Sequence, residues 1–303
     1  MDYFGIGSGL LSAFMASLSF AASAWALRGT KGLTSAGLLA NACCVMGVLS
    51  VVGIFFVWRP GFEVGFIGRL PALFGTVAAF WCAQCAVFTA QRYVDGSQLV
   101  PLLGLKLPML AILNGLIYRE HFSWLQLLAI AMTVAAAFVL NNAGKRIPLK
   151  SFCALLVGCL CYSLSDIFLR IEVQQIHEQV TVSQPLASAQ CTFLAYLISG
   201  VVGACLVPCL KGARVAKALA HSIPYGACWL TSIVFITLCF ARLGTVNGSI
   251  VQASRGIMSV LMAPVLIMLG MTWLETRTGW WIYLRRLIAA AMMIGAIAFY
   301  NLG

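Results

Sequence analysis

The chain has 303 residues, of which 62% are hydrophobic and only 9% charged, and its mean hydropathy is +0.98. A soluble domain carries about 25% charged residues to keep its surface wet, so this composition excludes one and calls for a polytopic membrane protein. The 19 Lys and Arg against 8 Asp and Glu leave a net charge of +11, yet these cations stand singly or in short groups between apolar runs, a pattern of membrane topology and not of nucleic-acid binding.

A spanning helix needs about 20 mostly apolar residues. Charged and Gly/Pro-marked breaks divide the chain into ten such segments, at 4–27, 33–57, 70–91, 96–118, 123–141, 149–169, 187–208, 222–241, 246–271 and 285–302. The first lacks a basic leader and is too long for a signal-peptide core, so it is expected to stay as a spanning helix. Before the last, Trp280, Trp281, Tyr283, Arg285 and Arg286 read as rings and cations at headgroup level, and the helix can begin up to six residues earlier. Nearly all of the 12 cysteines fall inside apolar runs and read as small buried hydrophobes. Cys82 and Cys85 form a C-x-x-C, but no His or second cysteine pair accompanies them, so neither metal nor cofactor is expected.

The expected fold is an all-α membrane protein in which five helices (1–143) are repeated once (144–303). Phe20, Ser23, Leu27 and Arg28 recur as Tyr162, Ser165, Leu169 and Arg170 at one offset of 142. Ala90-Gln91-Arg92-Tyr93, closing the third span, is echoed by Phe240-Ala241-Arg242-Leu243 closing the eighth, and Gly96-Ser97 by Gly248-Ser249. Pro108 precedes Glu120 by twelve residues, and Pro264 precedes Glu275 by eleven. Five is odd, so the second copy enters the membrane inverted, an architecture of secondary transporters with a midplane site between the repeats.

The two five-helix halves, the cations Arg28 and Arg170 after the first helix of each half, and the Pro and Glu of each fourth helix together resemble the drug/metabolite transporter superfamily, in its ten-helix EamA-like branch. The resemblance covers essentially the whole chain. It implies alternating access around a central cavity, with the fifth and tenth helices peripheral and open to dimer contacts, and termini in the cytoplasm. The charges point the other way on orientation. Connections one, three, five, seven and nine hold twelve Lys and Arg, including Lys145, Arg146, Lys150, Lys211, Arg214 and Lys217, against five at the opposite ends. The positive-inside rule puts the first set in the cytoplasm and both termini outside.

A charge in mid-span costs about 2.5–3.5 kcal/mol on insertion scales, so it marks a functional candidate. Lys106 and Arg255 each lie about 15 Å into a span at 1.5 Å per residue, at equivalent places in the two repeats, and are expected to meet across the cavity. Pro101, Gly104 and Pro108 interrupt the helix around Lys106. Gln252, Arg255 and Ser259 share one polar helix face, and Trp81, Gln84, Cys85 and Phe88 form a stripe on the third span that serves either packing or substrate. Asp166 is the third deep charge, open to pairing with Arg170 one turn on or with Arg255. His121, His177 and His221 fall in connections without metal-like spacing, and Glu120 and Glu275 are expected to pair with Arg119 and Arg277 at the interface.

Two deep cations against one acid favour a bound anion. The expected function is secondary transport of a small anionic or zwitterionic metabolite across a membrane, the bacterial inner membrane by family resemblance, with Lys106 and Arg255 receiving its carboxylate or phosphate and Gln252, Ser259, Trp81 and Gln84 lining the cavity. In the sugar-phosphate and nucleotide-sugar transporters of that superfamily, basic residues on the fourth and ninth helices take the phosphate. The alternative is a proton-coupled exporter of cationic or amphipathic compounds in which Asp166 titrates. A more distant one is a lipid-handling protein. No enzyme is expected, because no cluster of His, Asp, Ser or Cys with a base stands at an interface.

Overall fold

The computed structural model describes residues 3–118, 123–141, 147–180, 182–272 and 279–302, and every regular element among them is helical. In chain order these are α1 (Tyr3–Gly29), α2 (Ser35–Val57), α3 (Phe66–Gln91), α4 (Gly96–Leu102), a single 3₁₀ turn at Leu103–Leu105, α5 (Lys106–Tyr118), α6 (Trp124–Asn141), α7 (Leu149–Gln179), α8 (Gln184–Leu206), a 3₁₀ turn at Val207–Cys209, α9 (Ala216–Ala253), α10 (Arg255–Met268) and α11 (Trp280–Leu302). Six helices among the described residues are long and apolar enough to cross a membrane: α1, α2, α3, α7, α8 with its closing turn, and α9 as far as Cys239. The chain is a multi-pass membrane protein. Helix is the form lipid demands, since it satisfies each backbone donor within its own segment. Large apolar side chains such as Phe55, Phe56, Ile67 and Leu116 face outward, whereas Ser12, Ser19, Ser23 and Ser163 are fully buried.

Local capping marks where several helices start. Thr34 Oγ1 accepts from the Gly37 amide at 3.0 Å and opens α2. Before α6, Ser123 and Gln126 exchange side-chain and amide hydrogen bonds at 2.9 and 3.3 Å, a reciprocal capping box.

Contacts between named residues fix the directions of the helices. α3 and α7 run antiparallel, Gly65 meeting Gln179, Gly75 meeting Phe168, and Gly158 meeting Val87. α1 and α9 are likewise antiparallel, through Ser12 with Ser232, Phe20 with Trp229, and Trp25 with His221. α2 crosses α8 where Gly47 and Gly200 touch; a Cβ on either would lie 2.7 Å from the other's Cα, so only glycine allows this approach. α6 pairs with α11, α4 with α10, α5 with α7 and α10 with α1. The 30–34 connection meets the 207–215 connection, Gly32 carbonyl against Gly212, and the 58–65 connection meets the end of α7 at Val180. The bundle therefore has one end carrying Arg28, Lys31, Lys211 and Arg214, and an opposite end built by 58–65 and the end of α7.

Several expectations need correction. The sixth helix does not end at 169: α7 runs to Gln179, because nothing in 170–179 removes an amide donor. The hydrogen-bonded ladder of α9 also runs through the expected break at 242–246. The axis nevertheless turns there. Cys239 Sγ and Val251 Cγ1 stand 2.7 and 2.6 Å from where a Gly9 Cβ would lie, although twelve residues of straight helix would separate them by about 18 Å. His177 and His221 belong to helices and not to connections; the His221 ring packs at a tilt against Trp25 with ring centres 4.0 Å apart, and His221 shares a hydrogen bond with Thr30 Oγ1 at 2.7 Å. Arg286, expected at headgroup level, is fully buried, as is Arg69 near the start of α3. Arg119, Glu120, His121, Lys145, Arg146, Glu275 and Arg277 lie outside the described residues.

Candidate functional site

The fourth span breaks where its prolines dictate. Pro101 and Pro108 lack the amides that would bond the Ser97 and Gly104 carbonyls, and between them the chain tightens into the 3₁₀ turn Leu103–Leu105. Lys106 is the first residue after that turn and opens α5. Arg255 holds the matching position, opening α10 directly after the hinge residue Ser254. A serine of another helix holds each restart. Ser163 of α7 donates to the Lys106 carbonyl at 3.2 Å, sharing its proton with Cys159 O, and Ser17 of α1 donates to the Arg255 carbonyl at 2.9 Å, sharing with Ala13 O.

Both cations act electrostatically on one stretch of α7. Lys106 Nζ is ion-paired with Asp166 Oδ2 and stands 5.8 Å over the Tyr162 ring. Arg255 interacts electrostatically with the same Tyr162 and Asp166, and Cys159 lies in the field of both cations. The described ion pair of Asp166 is thus with Lys106, and not with Arg170 or Arg255. Three charges sum to one surplus positive charge. The pair is not sealed off, since the Lys106 and Asp166 side chains keep 28% and 46% of their accessibility.

Behind the charges stands an aromatic wall. Tyr225 stacks on Trp229 at 6.0 Å, and Phe20, Phe80 and Phe88 meet these rings and Tyr196 edge-on or tilted. Trp229 Nε1 donates to Tyr196 Oη at 2.6 Å, and Gln84 Nε2 donates to Tyr225 Oη. Gln84 and Trp81 therefore belong to this wall, Trp81 partly buried between two apolar clusters. Among the described residues, the buried Tyr162 Oη, Gln84 Oε1 and Trp81 Nε1 have no hydrogen-bond partner. Each such atom costs about 1–3 kcal/mol when left unpaired.

Two small cavities flank the helix breaks. One, of about 30 Å³, is lined by Pro101, Gly104, Arg255, Gly256 and Met293. The other, of about 20 Å³, is lined by Ser17, Phe20, Gly96, Val100 and Ser259. Each has room for about one water. Ser259 donates to the Gly256 carbonyl at 2.8 Å and faces the smaller cavity. Gln252 ends α9, across the Ser254 hinge from Arg255 and Ser259, so the three share a region and not one unbroken helix face. Cys82 and Cys85 are free thiols on α3. Among the described residues no three His, Cys, Asp or Glu side chains converge as a metal site.

Three groups went unrecognised in the sequence. Tyr162 is the first; it lies one turn before Asp166, and that i, i+4 spacing was the available signal. The second is a cluster at the basic end, in which Asp95, capping α4, lies 3.8 Å from Arg28 and 4.0 Å from Arg286, while Arg286 Nη1 donates to Ser97 Oγ. The third is Arg69 with Glu172 at the opposite end, both buried.

No protein-family model matches the chain, and no curated protein matches it. Solved structures do: one chain, titled only "Crystal structure of protein", superposes with a TM-score of 0.57 at 14% identity, over 98% of this chain and 97% of that one. The likeness establishes that this arrangement of helices occurs in a solved protein of similar length.

Proposed function

We propose that the protein is a secondary transporter of a small anionic or zwitterionic metabolite, built as ten spans in two inverted five-helix repeats and working by alternating access. One observation carries this reading: Lys106 and Arg255 each open a helix after a break, Lys106 is ion-paired with Asp166 of α7, and Arg255 lies within the electrostatic reach of the same Asp166 and of Tyr162. A helix N-terminus adds positive potential to each cation. Asp166 offsets one of them, so the site is matched to a group carrying about one negative charge, such as a carboxylate or a phosphate monoanion.

The packing supports the repeat. Exchanging α1 with α7, α2 with α8, α3 with α9 and α5 with α10 turns the α1–α9 pair into α7–α3 and the α5–α7 pair into α10–α1, and leaves α2–α8 unchanged. α1 runs toward the basic end and α7 away from it, which is the inversion an odd number of spans requires. A half-accessible Lys–Asp pair deep in the span cannot face acyl chains at tolerable cost, so its open side belongs to a water-filled path between the repeats. Lys31, Lys211 and Arg214 on the 30–34 and 207–215 end favour a cytoplasmic side for that end, in the bacterial inner membrane that the family resemblance implies.

The Lys106–Asp166 pair also favours a second reading, in which Asp166 carries a proton and the cargo is a cation or an amphipath. A thermal-shift screen of the purified protein separates the two. Carboxylated or phosphorylated metabolites should raise the melting temperature, by about 2.7 kcal/mol of stabilisation at a hundred times Kd, and cationic ones should leave it unmoved. Stabilisation by cations alone would overturn the anion reading.

A further inference from the structure

The end of the bundle opposite the basic connections holds a buried polar group that the Lys106–Arg255 site does not use. Arg69 of α3 and Glu172 of α7 are each 1% exposed, and so is Gln190 of α8. Arg69 Nη2 donates to the carbonyl of Phe62 and, at 3.4 Å, to that of Val64. Those two carbonyls belong to the 58–65 connection, whose Phe62 is fully buried against Val173, Ile176, Ala187 and Cys191. Arg69 thus ties this connection down over the ends of α7 and α8.

The tie uses only part of the guanidinium. Arg69 Nε and Nη1 have no hydrogen-bond partner among the described residues, and neither do Glu172 Oε2 and Gln190 Oε1, all of them buried. Glu172 lies in the field of Arg69 and close to the Cys191 thiol, but makes no ion pair within 4 Å among the described residues. A neutral carboxyl fits that arrangement. An ionised one beside unused guanidinium donors would draw Arg69 toward itself, because charge-assisted bonds are about twice as strong as bonds to neutral carbonyls.

We infer that Glu172 is a proton-binding site and that Arg69 reads its charge, switching between the Phe62 and Val64 carbonyls when Glu172 is protonated and the Glu172 carboxylate when it is not. The proton comes from and returns to the aqueous phase at this end, and no other bond is made or broken. Protonation closes the end by leaving Arg69 on the 58–65 connection; deprotonation frees that connection. The charged or titratable groups facing Glu172 are Arg69 from α3 and Cys191 from α8. Glu63 on the connection is exposed and accepts from the Gly61 amide at 3.2 Å. The device rests on the transporter reading for its purpose, as a coupling proton at a gate, but not for its operation.

Amide hydrogen exchange of the full chain in lipid nanodiscs, without substrate, tests it independently of transport. After correction for intrinsic rates, segment 58–65 should exchange on the order of tenfold faster at about pH 8 than at about pH 5, while segment 30–34 shows no such step. Glu172→Gln, a fixed neutral side chain, should keep 58–65 protected at both pH values, and Glu172→Asp should restore the step. Arg69→Gln should expose the segment at both. A wild-type segment with no step, or a step that survives in Glu172→Gln, overturns the proposal. A preserved step without any transport would sink the transporter reading alone.

Discussion

Lys106→Ala and Arg255→Ala should each abolish flux of the carboxylate or phosphate compound found by thermal shift, while leaving expression and helix content unchanged. Three charges interact around α7, and either alanine removes the one surplus positive charge that an anion would satisfy. Truncating one partner of a desolvated charge pair costs about 2–5 kcal/mol, so binding should weaken by about thirtyfold to several thousandfold. The fold should tolerate both changes. Asp166 keeps 46% of its side-chain accessibility, so losing Lys106 leaves it solvated and not stranded. The Arg255 backbone tie runs from Ser17 to a carbonyl, which alanine retains. Arg255→Lys should recover part of the flux because the charge remains although the planar fork is lost. Initial-rate uptake into proteoliposomes checks this, and wild-type rates in both alanine variants would remove Lys106 and Arg255 from the site.

The second large effect concerns stability. Arg286 is fully buried, bonded to Ser97 and 4.0 Å from Asp95, with the Tyr283 ring 6.0 Å away. Arg286→Ala opens a large void and takes one of two cations from a carboxylate that is only 13% accessible, so unfolding should become about 3–5 kcal/mol easier. That is a large part of the roughly 5–15 kcal/mol that holds a typical domain. Arg286→Met with Asp95→Asn should recover more than half of the loss, since the chain then carries neither a stranded charge nor a void. Arg28 keeps its bonds to the Gln91 and Val94 carbonyls in that variant. Thermal unfolding in detergent measures both. Equal destabilisation of single and double variants would mean that the loss comes from the hydrogen bonds of Arg286 itself and not from a stranded charge or a void.

Much of this was legible because lipid simplifies the sequence code. A run of apolar residues has to be a helix, and the prolines at 101 and 108 announced the break that places Lys106 at a helix start. The depth of Lys106 and Arg255 could be counted in residues, and counting set them opposite each other; that Lys106 pairs with Asp166 of α7 was not countable. What could not be counted was rotation about each helix. Whether Asp166 meets Arg170 on its own helix, Arg255, or Lys106 depends on which face of α7 turns toward α5, and only packing decides that. Arg286 shows the same limit in reverse: amid Trp280, Trp281 and Tyr283 it reads as a headgroup anchor, yet α11 turns it inward onto α4. Arg69 and Glu172 stand near span ends, where a charge normally meets water, so nothing in their spacing distinguished a buried partner from a solvated one. The break expected at 242–246 falls inside α9, whose hydrogen bonds run on because no proline stands between 225 and 253; Gly244 and Gly248 there mark a break in sequence without removing an amide.

The most direct test of the central claim compares Arg255→Gln with Asp166→Asn in the same proteoliposomes with the same anionic compound. Flux that disappears in Arg255→Gln and persists, at altered affinity, in Asp166→Asn is the predicted result. Flux that persists in Arg255→Gln and disappears in Asp166→Asn would contradict it and give the site to the carboxylate.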